Sequence, residues 1–374
     1  MQFKEIIGQN AVKNRLIHSV KDERVSHAQL FAGPPGTGKL ALAIAYAQYV
    51  ACTNRHDNDS CGECPSCKKY RKLIHPDLHF VFPVIKTPKF KEPVSDNFIE
   101  EWRQMIAKNP YFSLDQWFEN IGVENSQGLI YSHQSEEIIR KLNLKSYESE
   151  YKVMIIWMPE KMHVACANKL LKMIEEPPVK TLFVLVTENE EDIISTIRSR
   201  CQLVAVPPID QASLENAVVQ LPEAEGADVS KIVHLAKGNF AKALELLQPD
   251  EQTLFNLEKF KELMRLSYGR KFTDIFKWAD QISGIGREKQ KSLINYCLLS
   301  VRENFIYNLK NRNLSFMSEP EEEFSKRFSP FINERNIMEM TEVFELAYSH
   351  VEMNGNARII FTDIAFKITK IIRK

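Results

Sequence analysis

Seven residues constrain this chain more than any others: Gly33-Pro34-Pro35-Gly36-Thr37-Gly38-Lys39. They match G-x-x-x-x-G-K, a loop whose backbone N–H groups converge on phosphate and whose lysine reaches the β/γ-phosphates. The pattern means something only between a strand and a helix, and both flanks comply. Gln29–Ala32 is a short apolar run, and Leu40–Ala51 is Ala-rich and apolar nearly all round, as a buried helix is. Phe80–Phe82, Val153–Trp157, Thr181–Thr187 and Gln202–Val206 read as further strands, separated by helical spacing. Strands alternating with helices imply a parallel sheet covered on both faces, an α/β fold.

The chemistry around the loop is incomplete. The position after the lysine should be Ser or Thr, whose hydroxyl binds Mg²⁺; here it is Leu40. A neighbouring strand should end in acidic residues that hold the metal, but Val153–Ile156 runs into Trp157-Met158-Pro159, with Glu160 three residues late. Apolar side chains cannot ligate Mg²⁺, and without it the γ-phosphate charge is not neutralised. Gly33, Gly36, Gly38 and Lys39 are the candidate phosphate-cradling residues of a degenerate loop. Nucleotide binding is doubtful, and no Mg²⁺ site is expected.

Cys52, Cys61, Cys64 and Cys67 give C-x8-C-x2-C-x2-C. Four thiols in so short a span suit tetrahedral Zn²⁺, and four protein ligands close the coordination sphere, so the zinc would be structural. Gly62 and Pro65 favour the tight turns of a metal knuckle. His56, His75 and His79 read as ordinary histidines, and Cys166, Cys201 and Cys297 as isolated packed thiols.

The 374 residues suit two or three domains. Pro207-Pro208 is the clearest linker signal. Beyond it Ala212–Gln220 and Val229–Leu247 read as helices, Pro249 breaks the chain, and nearly everything from Glu251 onward has helical spacing, as in Leu254, Leu257, Phe260 and Leu263. The expected organisation is a sheet domain over 1–207 carrying the cysteine module at 52–67, a small helical domain over 208–249, and a helical domain over 250–374. Pro320–Glu323 reads as a solvated acidic loop. Within the sheet domain, 83–128 interrupts the strand–helix alternation. Phe98, Trp102, Met105 and Ile106 share a helical face there, and Ser113 with Gln116 makes a capping box. Two short helices packed on the domain are the favoured reading, a partner-binding hairpin the alternative. Lys+Arg and Asp+Glu both number 49, which argues against a coat for polyanions while leaving a local basic groove possible. No apolar run approaches the 18 residues or so of a membrane span, and MQFKEIIGQN has no apolar signal core. A cytoplasmic location with reduced thiols is expected.

Several segments together resemble the delta-prime family of bacterial clamp-loader subunits, within the AAA+ class. They are Ile7-Gly8-Gln9, His27-Ala28-Gln29-Leu30-Phe31, the four-cysteine insertion after the phosphate-loop helix, and His75-Pro76-Asp77-Leu78-His79. The most specific are the stretch from Ala167 through Glu175-Glu176-Pro177-Pro178 and Thr196-Ile197-Arg198-Ser199-Arg200-Cys201. The likeness covers about residues 1–245. It implies an AAA+ sheet domain with a helical lid, and a helical C-terminal collar that joins an oligomer. In that family the Ser-Arg-Cys segment offers an arginine finger to ATP on a neighbouring subunit, a role that falls to Arg200. The family's ATPase subunits also carry a lid arginine after Gly-Ser-x; here Gly238-Asn239-Phe240 is followed by Ala241. Thr187 and Asn189 lie where a polar sensor of the γ-phosphate is expected.

The resemblance therefore implies a subunit without catalytic activity of its own in the replicative DNA polymerase III holoenzyme. Its partners would be the gamma/tau ATPase subunits, the delta subunit, the sliding clamp and, through the complex, primed DNA. The first rival is an active gamma/tau-like ATPase, against which Leu40, Trp157-Met158 and Ala241 speak. The second is a stand-alone DNA-binding protein with a zinc module, weakened by zero net charge and the lack of a basic-aromatic stretch.

Overall fold

A computed structural model describes residues 1–122, 128–247, 251–309, 317 and 319–374. The chain divides into two compact units, Met1–Leu244 and Glu245–Lys374. The first holds five strands: β1 (Ala28–Ala32), β2 (Leu78–Val81), β3 (Lys152–Trp157), β4 (Thr181–Thr187) and β5 (Gln202–Ala205). Their order is β2-β3-β4-β1-β5, and every pairing is parallel. Around them run α1 (Asn10–Lys21), α2 (Lys39–Ala51), α3 (Pro65–Arg71), α4 (Ile99–Lys108), α5 (Leu114–Asn120) and α6 (Gln134–Asn143). α7 (Val164–Glu175), α8 (Ser195–Arg198), α9 (Gln211–Val219), α10 (Val229–Ala236) and α11 (Phe240–Leu247) follow.

The apolar strands are apolar because both faces of the sheet are buried. Along β3, Val153, Ile155 and Trp157 join one core while Met154 and Ile156 join the other; along β4, Leu182, Val184 and Val186 oppose Phe183 and Leu185. Helices α1 and α2 cover the first face, and α6, α7 and α8 the second. All thirteen residues of α2 are buried, Lys39 and Gln48 included. Its alanines allow close approach to the sheet, so the phosphate loop is anchored to a rigid element on either side. β5 is an edge strand, and only Val204 of its four residues is buried.

The interrupting segment packs onto the first core. Trp102 of α4 and Trp117 of α5 are fully buried, and Trp102 stacks on Phe82 with ring centroids 4.1 Å apart. The Trp117 indole donates to the Pro83 carbonyl at 2.9 Å. The capping box is present: Gln116 N–H donates to Ser113 Oγ at 3.2 Å, and Ser113 N–H to Gln116 Oε1 at 3.0 Å. These aromatics are core, not a hairpin held out for a partner. Residues 123–127 of this segment, and the break read at Pro249, lie outside the described residues.

The second unit consists of α12 (Glu251–Gly269), α13 (Phe272–Ser283), α14 (Arg287–Asn308), α15 (Glu319–Phe328), α16 (Ile337–Glu352) and α17 (Ala357–Ile371). Phe260, Trp278, Phe344 and Phe361 fill its core. Two local readings change. Val229–Leu247 is not one helix: Lys237 and Gly238 take left-handed φ values of 49° and 81° between α10 and α11. Gly238 is required there, because a Cβ would lie 2.7 Å from the Ile209 carbonyl oxygen. Pro320–Glu323 is not a loop but the first turn of α15, where a proline is tolerated and acidic residues meet the positive end of the helix dipole. Leu254 departs from the buried stripe and is exposed. Among the described residues, no helix is long and apolar enough to cross a membrane.

Candidate functional site

The phosphate loop spans the end of β1 and the start of α2. Gly36 and Gly38 have φ of 67° and 82°, the left-handed values such a loop needs, and α2 begins at Lys39. Lys39 does not point outward. Its ammonium donates to the Pro34 carbonyl within the loop, and burial lowers its pKa to about 8 against the pull of Glu188 and Glu160. Leu40 is buried in the core beneath the loop. Trp157 and Met158, at the end of β3, are buried in the same core. Neither position can offer oxygen to a metal.

Glu160 sits in a short turn after Pro159, and burial raises the pKa of its carboxyl. Glu188, just past β4, is exposed at the surface, though partial desolvation raises the pKa of its carboxyl too. Thr187 is fully buried, and its hydroxyl donates to the Asn189 carbonyl at 2.9 Å. Asn189 turns its own side chain to the Glu191 N–H, capping the next turn. Of the two sensor candidates, only Thr187 joins Gly36, Gly38 and Lys39 in lining the space over the loop. That space is a cavity of about 30 Å³. A drug-sized ligand needs roughly 300–1,000 Å³.

Arg200 lies elsewhere, exposed beyond α8. Its guanidinium pairs with the Glu175 carboxylate at the end of α7 and donates to the Thr196 carbonyl at 2.7 Å. The two most specific segments of the resemblance thus meet in one ion pair. Sequence reasoning selected Arg200 and missed Glu175, since nothing in linear spacing joins them.

Cys52, Cys61, Cys64 and Cys67 come together with all four sulfurs within 4.8 Å of one another. Sγ–Sγ distances are 3.5 Å for Cys52–Cys61, 4.0 Å for Cys52–Cys64 and 3.9 Å for Cys61–Cys67. Tetrahedral zinc with Zn–S near 2.3 Å places its sulfurs about 3.8 Å apart, so the donor set and its spacing fit that ion. Backbone N–H groups point at the sulfurs, Cys64 to Cys61 at 3.3 Å and Cys67 to Cys64 at 3.4 Å, as thiolate ligands favour. Cys64 caps α3, with Pro65 at the helix start. The knuckle is tied to the N-terminus: the Asp59 carboxylate accepts from the N–H groups of Phe3 and Lys4, both at 3.0 Å, and the Gln2 amide donates to the Ser60 carbonyl at 2.5 Å.

His75, an ordinary histidine by its sequence, shares the family-like stretch His75-Pro76-Asp77-Leu78-His79 with Asp77. Both are buried. The Asp77 carboxylate accepts backbone N–H groups from Tyr147, Glu148 and Ser149 at 2.6–2.8 Å, which hold its pKa down although burial alone would raise it.

The family described as "DNA polymerase III, delta subunit" matches residues 8–210. The chain is 28% identical to DNA polymerase III subunit delta′ of Bacillus subtilis over 82% of its own length and 79% of that protein. It is 27% identical to subunit delta′ of Escherichia coli over 63% of its length and 59% of that protein. Subunit tau of B. subtilis is 22% identical over 98% of this chain, which spans 61% of tau.

Proposed function

The chain belongs to the DNA polymerase III delta-subunit family, among relatives named delta′, and on that premise we propose that it is a non-hydrolysing member of the clamp loader. It would help open the sliding clamp and place it on primed DNA. The gamma/tau ATPase subunits and the delta subunit would be its neighbours. Residues 1–207 would form the AAA+ sheet domain, 208–249 its helical lid, and 250–374 a collar holding the oligomer together. Cys52, Cys61, Cys64 and Cys67 would hold one structural Zn²⁺.

The observation that carries this reading is the burial of Leu40, Trp157 and Met158 in the core under the phosphate loop. These are the positions where an ATPase keeps its Mg²⁺ ligands. They are structural residues here, so a single substitution would not restore a metal site.

Arg200 is the residue through which such a subunit would still act in catalysis. It stays charged and offers planar, two-pronged donation to phosphate oxygens. Its pairing with Glu175 is exposed, and exposed pairs are worth about 0.2–1 kcal/mol. Exchanging Glu175 for a neighbour's γ-phosphate is therefore inexpensive, and until then Glu175 holds the guanidinium in place. The test is to purify the chain alone and with the gamma/tau and delta subunits and to measure ATP hydrolysis in both. The expected result is none from the chain alone. Turnover by the isolated chain that is lost on Lys39→Ala would sink the reading in favour of an active ATPase.

A further inference from the structure

The inserted segment, read above as simple packing, reaches the phosphate loop. Between α4 and α5 it runs Asn109-Pro110-Tyr111-Phe112. Tyr111 is buried, and its ring lies directly on Gly38: a Cβ built on that glycine would be 2.7 Å from Tyr111 Cε1. The phenol oxygen accepts the Ile7 N–H at 3.0 Å, tying the ring to the N-terminal segment. On its other side the ring meets Phe240, with centroids 5.0 Å apart at 68°. Phe240 in turn donates its N–H to the Gly36 carbonyl at 3.0 Å, and Asn239 Oδ1 lies where a Cβ on Gly36 would stand, 1.7 Å away. Both loop glycines therefore have side chains of the same chain packed against them.

Phe112, next along, packs on Trp157 with centroids 5.3 Å apart and on Trp102 at 5.5 Å. Trp157 thus has a positive role at the end of β3: it is the wall against which the inserted strip rests. Trp157 at the end of β3 and Phe112 of the inserted strip belong to one packing arrangement. The cavity left between Tyr111, Phe112, Trp157, Lys39 and Glu188, about 30 Å³, holds little more than a water molecule. Glu188 at its edge would also repel an entering phosphate.

We propose that Tyr111 is a built-in plug that occupies the nucleotide's place over the phosphate loop and, through Phe240, fastens α11 to that loop. The site is closed by the chain's own residues rather than merely stripped of its metal ligands. The phosphate cradle survives beneath the ring: the left-handed glycines, the N-terminus of the buried α2, and Lys39. Lys39 lies within that cradle, its ammonium donating to the Pro34 carbonyl. Opening the plug should therefore uncover a latent, metal-independent site for the diphosphate of ADP.

The arithmetic is that of a binding-competent state rarely populated. A site open about 1% of the time binds roughly 100-fold more weakly than its open form. The experiment titrates the full-length, zinc-loaded chain with ADP bearing a methylanthraniloyl fluorophore, in the absence of Mg²⁺. The wild-type chain and Tyr111→Phe, which keeps the ring, are expected to show no saturation at millimolar ADP. Tyr111→Ala is expected to bind about 100-fold more tightly, and Lys39→Ala in that background to abolish the gain. Amide exchange at Phe240 should speed up in Tyr111→Ala without ligand, because the Phe240 ring loses the Tyr111 ring packed on it. If Tyr111→Ala does not fold, Tyr111→Leu keeps apolar volume beside Phe240 while withdrawing from Gly38, and it carries the same expectation. Wild-type binding equal to that of the variant, or a folded variant that binds no ADP, overturns the proposal. Neither result bears on Arg200, whose role is scored on a partner's hydrolysis.

Discussion

Arg200 and Cys64 illustrate how differently single residues depend on their setting. Arg200 is exposed and paired with Glu175 in the free chain, a contact of small energy. Its value would appear only against a neighbour's ATP, where a trans arginine is worth about 10³–10⁵ in rate at the site it serves. Arg200→Ala in a reconstituted complex of confirmed size should cut ATP hydrolysis by the share of that one site and cut clamp loading further. Arg200→Lys should rescue poorly, since an ammonium lacks the planar fork. Unchanged hydrolysis and loading would leave Arg200 as a partner of Glu175 alone. Cys64 is already committed within the chain. Its sulfur lies 4.0 Å from that of Cys52, and the Cys67 N–H points at it. Elemental analysis of protein never exposed to chelator should find about one zinc per chain, and Cys64→Ala should lose it. The damage should concentrate where Asp59 meets Phe3 and Lys4, while the sheet persists. A wild-type chain without zinc would refute the site.

At the scale of elements, the segment between β2 and α6 matters through its aromatics. Trp102 is fully buried against Phe82, Trp117, Phe112 and Trp157. Truncating a buried Trp costs about 3–5 kcal/mol, so Trp102→Ala should lower the unfolding free energy by that order in denaturant titration. It should also loosen Phe112 and, next to it, Tyr111. A loss below about 1 kcal/mol would mean that the segment is not integral to the core. The turn before β3 makes a second case. Asp77 binds three backbone N–H groups there, and its pKa is held below the ordinary carboxylate value. A carboxyl with a depressed folded-state pKa stabilises above its unfolded pKa, and that stabilisation is lost as pH falls through the folded one. Asp77→Asn should therefore be less stable than wild type near neutrality, with the gap closing on acidification below about pH 4. A gap that stays constant with pH would assign the loss to packing rather than to charge.

At the scale of the whole molecule, the phosphate loop survives as architecture. Its strand, left-handed glycines and buried helix bring β1, α2 and α11 together, with Tyr111 packed on Gly38 and Asn239 on Gly36. Lys39→Ala should accordingly leave clamp loading by the assembled complex nearly unchanged. The lysine donates to the Pro34 carbonyl of its own loop, and burial has already lowered its pKa to about 8. Loading assays on complexes matched for assembly decide the point, and a collapse would mean that the loop still serves nucleotide.

The phosphate loop, the parallel sheet, the cysteine quartet and the capping box at Ser113 were all legible in the residues alone. Each is local, set by a few neighbouring positions or by a period of two or 3.6 residues. The turn at Lys237–Gly238 and the helical start at Pro320 were misread, because a glycine can interrupt a helix and a proline can begin one. Only the tertiary structure brought Glu175 to Arg200 across 25 residues, and placed Tyr111 on Gly38 and Phe240 against the Tyr111 ring and the Gly36 carbonyl. Asn109-Pro110-Tyr111-Phe112 matches no pattern. Its position over the loop follows from where β2, β3 and α4 put the chain, and such long-range packing leaves no period or motif to read.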